Sequence, residues 1–279
     1  MSATTVPADE AVITPDSYTP PTGLVWLVRD TWTEALRHLR AIPRNPELLM
    51  FATIQPVMFV VLFVYVFGGA IAVPDWPFDY KQYLLPGIFA QTVLFNSSFT
   101  AVGVADDLQK GIIDRLRSLP MYASAVLIGR TVSDVVRNVI TFASMLAVAF
   151  AVGFRFEGTL IEAFGATLLL FFFSYSFTWI NAWVGLSVGS VEAANSAGFL
   201  WMFPLTFVSS AFVGVDSMPG WLQPVARNNP FTLATNASRA LYNGYSAGSD
   251  LWVSLAWAVG LTIVFAFLAA RKYANSTSA

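Results

Sequence analysis

Six stretches of the chain run for about twenty residues with almost no charged side chain, long enough to cross a hydrocarbon core of roughly 30 Å as helix. The pattern predicts spans at about Leu48–Val73, Leu84–Ala105, Asn138–Phe154, Thr159–Gly189, Ala193–Gly214 and Leu251–Ala270. The fourth is longer than a perpendicular crossing needs and calls for tilt or a surface extension. A different pattern governs Thr22–Ile42. There Val25, Val28, Trp32, Ala35, Leu36, Leu39 and Ile42 recur at helical spacing, and Arg29, Asp30, Thr33, Glu34, Arg37 and Arg40 fill the other side. That stripe predicts an amphipathic helix in the cytoplasmic headgroup plane, on a partner protein, or both, ended by Pro43 and Pro46. The expected organisation is all-α: a disordered cytosolic tail (1–21), the interfacial helix (22–46), a six-span membrane domain (47–273) and a short cytosolic tail (274–279).

Charge placement orients these spans. Eleven of the fifteen Lys and Arg residues lie before the first span, between the second and third, or after the sixth. The positive-inside rule then puts both termini in the cytoplasm. Trp76, Phe78, Tyr80 and Tyr83 fit an outer aromatic belt. Within the cytoplasmic segment 106–120, Leu108, Ile112, Ile113, Leu116 and Leu119 keep helical spacing. Farther on, Arg130, Asp134 and Arg137 share one helical face and read as a solvated, charge-paired foot of the third span. The outer connection 215–250 is long enough to predict short helices that dip into or cap the outer leaflet.

Composition narrows the chemistry. The chain is 56% hydrophobic and 11% charged, with a mean hydropathy of +0.62. A soluble domain carries about 25% charged residues, so there is too little polar surface here to coat a globule in water. Cysteine is absent and His38 is the sole histidine, which excludes disulfides, thiol nucleophiles and multi-histidine metal sites. His38 itself reads as an interfacial side chain. The three lysines follow Tyr80, Gln109 and Arg271, so there is no Gly-Lys pair to build a phosphate-binding loop, and any ATP must be hydrolysed by another polypeptide. The spans are nearly free of charge, which argues against an ion-coupled transporter. They do carry Gln55, Gln91, Asn96, Ser97, Ser98, Asn181 and Asn195, which serve helix–helix contacts or ligand contacts.

The run Lys110-Gly111-Ile112-Ile113-Asp114-Arg115-Leu116-Arg117-Ser118-Leu119-Pro120 resembles the segment after the second span of ABC-2-type permeases, of the daunorubicin-resistance kind. Gly129-Arg130, Asp134, Met218-Pro219-Gly220-Trp221-Leu222, Asn229-Pro230-Phe231 and Arg239 continue the likeness, whereas Ile112-Ile113 replaces the family's usual Thr and carboxylate. The resemblance implies a permease subunit of an ATP-driven exporter in the bacterial cytoplasmic membrane. It would work with a second permease chain and a separate cytosolic ATPase carrying ATP and Mg, and would bind no cofactor or nucleic acid itself. It implies ATPase coupling through Gly111, Ile112, Asp114, Arg115, Leu116, Arg117 and Pro120. It further implies a substrate route along the second and fifth spans, at Gln91, Phe95, Asn96, Phe199, Met202, Phe203 and Thr206. The expected substrate is a hydrophobic or amphipathic drug or lipid. A polysaccharide or glycolipid exporter is the alternative of the same architecture.

Overall fold

The computed structural model describes residues 24–41, 46–66, 79–117 and 123–275, and every regular element among them is helical. A lead-in helix α1 (Leu24–Ala41) is followed by α2 (Pro46–Val61), which continues as a wider π-helical segment over Leu62–Val66. Next come α3 (Tyr80–Asn96) and α4 (Ser98–Gln109), two halves of one rod, and the short α5 (Ile112–Arg117). The long helices α6 (Ala123–Ala151) and α7 (Leu160–Gly185) precede α8 (Val191–Phe207). A 3₁₀ turn, α9 (Gln223–Asn228) and α10 (Pro230–Tyr242) then lead to α11 (Gly248–Asn275).

Among the described residues four helices are long and apolar enough to cross a membrane: Tyr80–Gln109, Ala125–Ala151, Leu160–Gly185 and Gly248–Ala274. The chain is a multi-pass membrane protein. Of the first predicted span, Pro46–Val66 is helical and 67–73 lies outside the described residues. The helix containing the third span begins at Ala123 rather than Asn138. The expectation for the fifth span ran too far. Pro204 has no N–H to give, and α8 ends three residues later, where Val208 turns to φ −89° and ψ 59°. The following residues Ser209–Phe212 are buried without being helical. Their polar groups are met locally: Ser209 Oγ donates to the Thr206 carbonyl, and the Ser210 N–H to Thr232 Oγ1. The predicted tail 1–21, Trp76, Phe78, and 276–279 of the second tail lie outside the described residues.

The rod α3–α4 is the axis of the molecule. Every residue of α3 from Gln82 to Asn96 is buried. Phe89 stands at the centre of an aromatic cluster, with ring centroids 5.3 Å from Phe142, 5.5 Å from Phe154 and 5.8 Å from Tyr242. Lipid tails are as apolar as a leucine, so tight helix packing, rather than water exclusion, holds such a bundle together. Glycine supplies the closeness. A Cβ on Gly87 would lie 2.2 Å from the Ala211 carbonyl oxygen, and one on Gly185 of α7 would lie 2.5 Å from the Ala101 carbonyl of α4. At Ser97 the rod breaks. The hydroxyls of Thr92, Ser97 and Ser98 each return to a carbonyl three or four residues back, a bonding that bends helices. Asn181 Nδ2 of α7 donates to Ser97 Oγ at 3.0 Å and holds the bend.

Tyr80 and Tyr83 do not form an outer belt. Tyr83 is buried, with its hydroxyl donating to the Ser210 carbonyl, and Tyr80 donates to the Phe212 carbonyl. Their rings are drawn inward because Arg239 of α10 is buried there, its guanidinium 3.7 Å from the Tyr83 ring centroid.

Close backbone packing at Gly87 leads to a stability prediction. Gly87→Ala overpacks against the Ala211 carbonyl and will cost about 1–3 kcal/mol. Gly165→Ala on α7, where an added Cβ meets nothing within 4 Å, will cost nothing. Thermal denaturation of the two detergent-purified variants, followed by size-exclusion fluorescence, checks the contrast.

Candidate functional site

Two features share the inner half of the bundle. The first is a joint of buried charge where α1 lies along α6 and its Arg37 reaches toward Asp107 near the end of α4. Two glycines make the room for it. A Cβ on Gly129 would sit 2.7 Å from the Thr31 carbonyl oxygen of α1, so only glycine lets α1 seat on α6. A Cβ on Gly103 would overlap the Arg130 guanidinium, which crosses α4 through that notch. Arg130 Nη1 then donates to Asp107 Oδ2 at 2.8 Å. Arg37 joins from α1, with its Nε donating to Glu34 at 2.8 Å and its Nη2 lying 3.6 Å from Asp107. One turn farther along α6 lies Asp134, which accepts from Arg137 at 2.5 Å, and its other oxygen accepts from the buried Thr100 hydroxyl of α4.

The predicted foot of Arg130, Asp134 and Arg137 is therefore charge-paired but not solvated. Asp134 is only 5% exposed. Its partners explain the difference: α1 and α4 close over this face of α6, and a charge taken out of water must be paired and hydrogen-bonded. His38 sits beside the cluster, its Nε2 3.1 Å from Arg37 Nη2. Burial first, then the charges of Arg130, Arg37 and Arg137, lower its pKa from 6.5 to about 2. The ring is a neutral part of the joint rather than an interfacial side chain.

The coupling residues predicted from sequence lie at the end of this joint. The helix α4 stops at Lys110, and Gly111 turns the chain at φ +64°, a left-handed conformation that favours glycine. That turn splits the expected single stripe. Ile113 is buried against Val104, Val126 and Leu127, and Leu108 packs on the same cluster, so the chain's own helices cover them. Ile112 is half-buried and Arg115 exposed. The side chains of Asp114, Leu116 and Arg117, and all of Ser118–Pro120, lie outside the described residues.

The second feature is a groove among α2, α3, α4 and α8, with a cavity of about 80 Å³. Gln91, Phe95, Asn96 and Phe199 of the predicted route line it, joined by Gln55, Phe59 and Phe99. Phe95 makes edge contacts with Phe199 at 5.7 Å and Phe203 at 5.3 Å. Phe203 thus extends one wall. Met202 and Thr206 do not: both are fully buried, and the Thr206 hydroxyl is spent on the Met202 carbonyl of its own helix. The two features touch, because Arg137 stacks 4.9 Å from the ring centroid of Phe99. Sequence reasoning missed Gly103, Asp107 and Thr100. The nearest signal was the acidic pair Asp106-Asp107, of which Asp107 pairs with Arg130 and Asp106 with Lys110.

Apolar helices of membrane-crossing length, with a polar break in the axial rod and a joint of buried ion pairs toward one end of it, suit the membrane component of a transporter. The chain belongs to the ABC-2 type transporter family, whose pattern matches residues 29–243. It is 34% identical to the daunorubicin resistance ABC transporter permease protein DrrB1 of Streptomyces coeruleorubidus, over 90% of this chain and 88% of that protein. It is 24% identical to the probable doxorubicin resistance ABC transporter permease protein DrrC of Mycobacterium tuberculosis, over 90% of each. The probable multidrug ABC transporter permease YbhR of Escherichia coli matches at 25% over 63% of this chain and 48% of its own length. The chain is a membrane permease subunit of an ABC exporter.

The joint yields two predictions. Arg130→Met strands Asp107 beside Arg37 alone and will cost about 3–5 kcal/mol, whereas adding Asp107→Leu will recover some of that loss. A double-mutant cycle on thermal stability measures the coupling. His38 is held neutral in the fold, so its contribution to stability is complete above pH 6.5 and is lost progressively as pH falls toward about 2. Acidification from about pH 7 to about pH 5 will therefore destabilise the wild type more than His38→Gln. Midpoints of unfolding measured for both proteins at the two pH values check this.

Proposed function

We propose that this chain is one half of an exporter that moves a hydrophobic or amphipathic drug, or a lipid, out of a bacterial cytoplasm across the cytoplasmic membrane. A second permease chain completes the path, and a separate cytosolic ATPase supplies ATP hydrolysis. The observation that carries the reading is the physical continuity from the Gly111 turn through the ion-paired joint to Phe99 and the aromatic groove. An ATPase pressing on the turn moves α4 and α6 together, and the groove walls follow. The relatives named for resistance to daunorubicin and doxorubicin support a drug as cargo.

Exposed side chains support the second permease. On α2 and its extension, Ile54, Met58, Leu62 and Tyr65 face outward, as do Leu200, Phe203 and Phe207 on α8. Gln55, Asn195 and Ser196 are also exposed on these helices, and polar groups at membrane depth face protein or a water-filled path rather than lipid tails. In this reading α2 and α8 also cross the membrane, making six crossings with both termini cytoplasmic. The 21 residues of Pro46–Val66 span about 30 Å as helix. The 17 residues of α8 span about 25 Å, and Val208–Gly214, with Ser209–Phe212 buried, completes the crossing.

Coupling through the 111–120 segment is tested by co-purification. Leu116→Asp will leave insertion near normal but release the ATPase, since charging an anchor in a protein groove costs about 2 kcal/mol or more. Arg115→Ala will do less, at about 0–1 kcal/mol for an exposed charge contact. Full ATPase recovery and full transport with Leu116→Asp would remove this segment from the contact.

A further inference from the structure

The joint accounts for one side of α1 and leaves another side open. Thr31, Glu34 and Ala35 meet Gly129 of α6, which fixes how α1 is turned about its axis. At about 100° per residue, Val25, Val28, Trp32, Leu36 and Leu39 then share a neighbouring arc of about 80°. Val25 is 79% exposed, Val28 66% and Trp32 58%. Arg29 and Arg40 come next around the helix, opposite α6, and both are exposed. Arg29 stacks 5.0 Å from the Trp26 ring centroid, and stacking occupies the face of a guanidinium rather than its N–H edge. The acids of α1 lie elsewhere: Glu34 is buried on Arg37, and Asp30 falls on the side of the helix away from the stripe.

An apolar stripe edged by tryptophan and arginine fits the boundary of a bilayer, where both side chains reach headgroups from an apolar base. Position favours lipid over a protein partner. Only residues 42–45 separate α1 from α2, so the two helix ends lie within about 18 Å of each other. Residues 48–66 of α2 and its extension carry no charged side chain, so the apolar medium begins close to where α1 ends. The exposed charge beside the stripe is positive, which selects negative headgroups. Near an anionic membrane surface each arginine is worth up to about fivefold in preference. We propose that α1 is a charge-selective lipid contact: its stripe lies among the upper acyl chains of one leaflet, and Arg29 and Arg40 take the phosphates of anionic lipids there. The close seat at Gly129 ties that contact to α6, whatever cargo the transporter carries.

The chain has no cysteine, so one reporter can be placed without background. A bimane fluorophore is attached through Val28→Cys on the full chain in phosphatidylcholine nanodiscs. Quenching is read from doxyl-labelled phosphatidylglycerol, which is anionic, or doxyl-labelled phosphatidylcholine, which is not. With both arginines present, the anionic quencher will act as if enriched about fivefold or more over the neutral one. Arg29→Gln and Arg40→Gln will each cut that enrichment by about twofold or more, and the double substitution will abolish it. Salt at about 1 M will also abolish it, because screening then acts within about 3 Å. A second reporter at Ile263→Cys, on the exposed side of α11, will respond to neither substitution. Both arginines are exposed, so unfolding temperatures will stay unchanged. Quenching at Val28→Cys by neither lipid would overturn the proposal, by revealing a protein surface over the stripe. Equal quenching by both lipids would overturn it as well, leaving a lipid contact blind to charge. A preference that survives the double substitution would do the same.

Discussion

Burying arginine is the constraint around which this bundle is arranged. A guanidinium cannot shed its proton and is costly in a low-dielectric interior unless its donors are met. The axial rod α3–α4 is clamped by such groups at both ends. At one end Arg239 gives its Nε to the Tyr83 carbonyl and its Nη2 to the Ser210 carbonyl, with Nη1 on Asn236. Carbonyl oxygens and an aromatic face surround it, and among the described residues no carboxylate forms an ion pair with it. At the other end Arg130 and Arg137 use Asp107 and Asp134 instead. Other features follow from these two solvation problems: the non-helical stretch after α8 turns its carbonyls to Arg239, and α1 is drawn over the foot of α6.

The pattern of apolar runs made the long helices legible, because an uncharged stretch has few alternatives inside a bilayer. Their ends were less so. Nothing in the hydropathy of Val208–Gly214 separates a helix from a run of turns, and the outcome depended on groups contributed from the start of α10: Asn229 Nδ2 donates to the Leu205 and Val208 carbonyls, and Thr232 Oγ1 accepts from the Ser210 N–H. The charged foot at Arg130–Arg137 was legible as a set of pairs, but not as buried pairs. Exposure depends on what packs against a helix, and the two glycines that admit α1 and Arg130 lie on different helices. Of the candidate route, Gln91, Phe95, Asn96 and Phe199 converge on one cavity, whereas Met202 and Thr206, one turn apart on α8, are turned into packing. Helical phase decided that split, and the resemblance supplied only the helix.

The notches at Gly129 and Gly103 also have a mechanical meaning. Side-chain contacts are compliant, because a rotamer change absorbs a small displacement. A backbone pressed against a backbone, as at Gly129, has no such play, so α1 and the foot of α6 move as one stiff block, with α4 tied to it through Arg130 and Asp107. The helix α6 is 29 residues long, a lever arm of about 44 Å. A rock of about 5° about the end that carries the joint moves the other end through about 4 Å, wider than a water molecule. A small tilt at the joint is thus enlarged along α6 into a displacement comparable with the spacing between packed side chains.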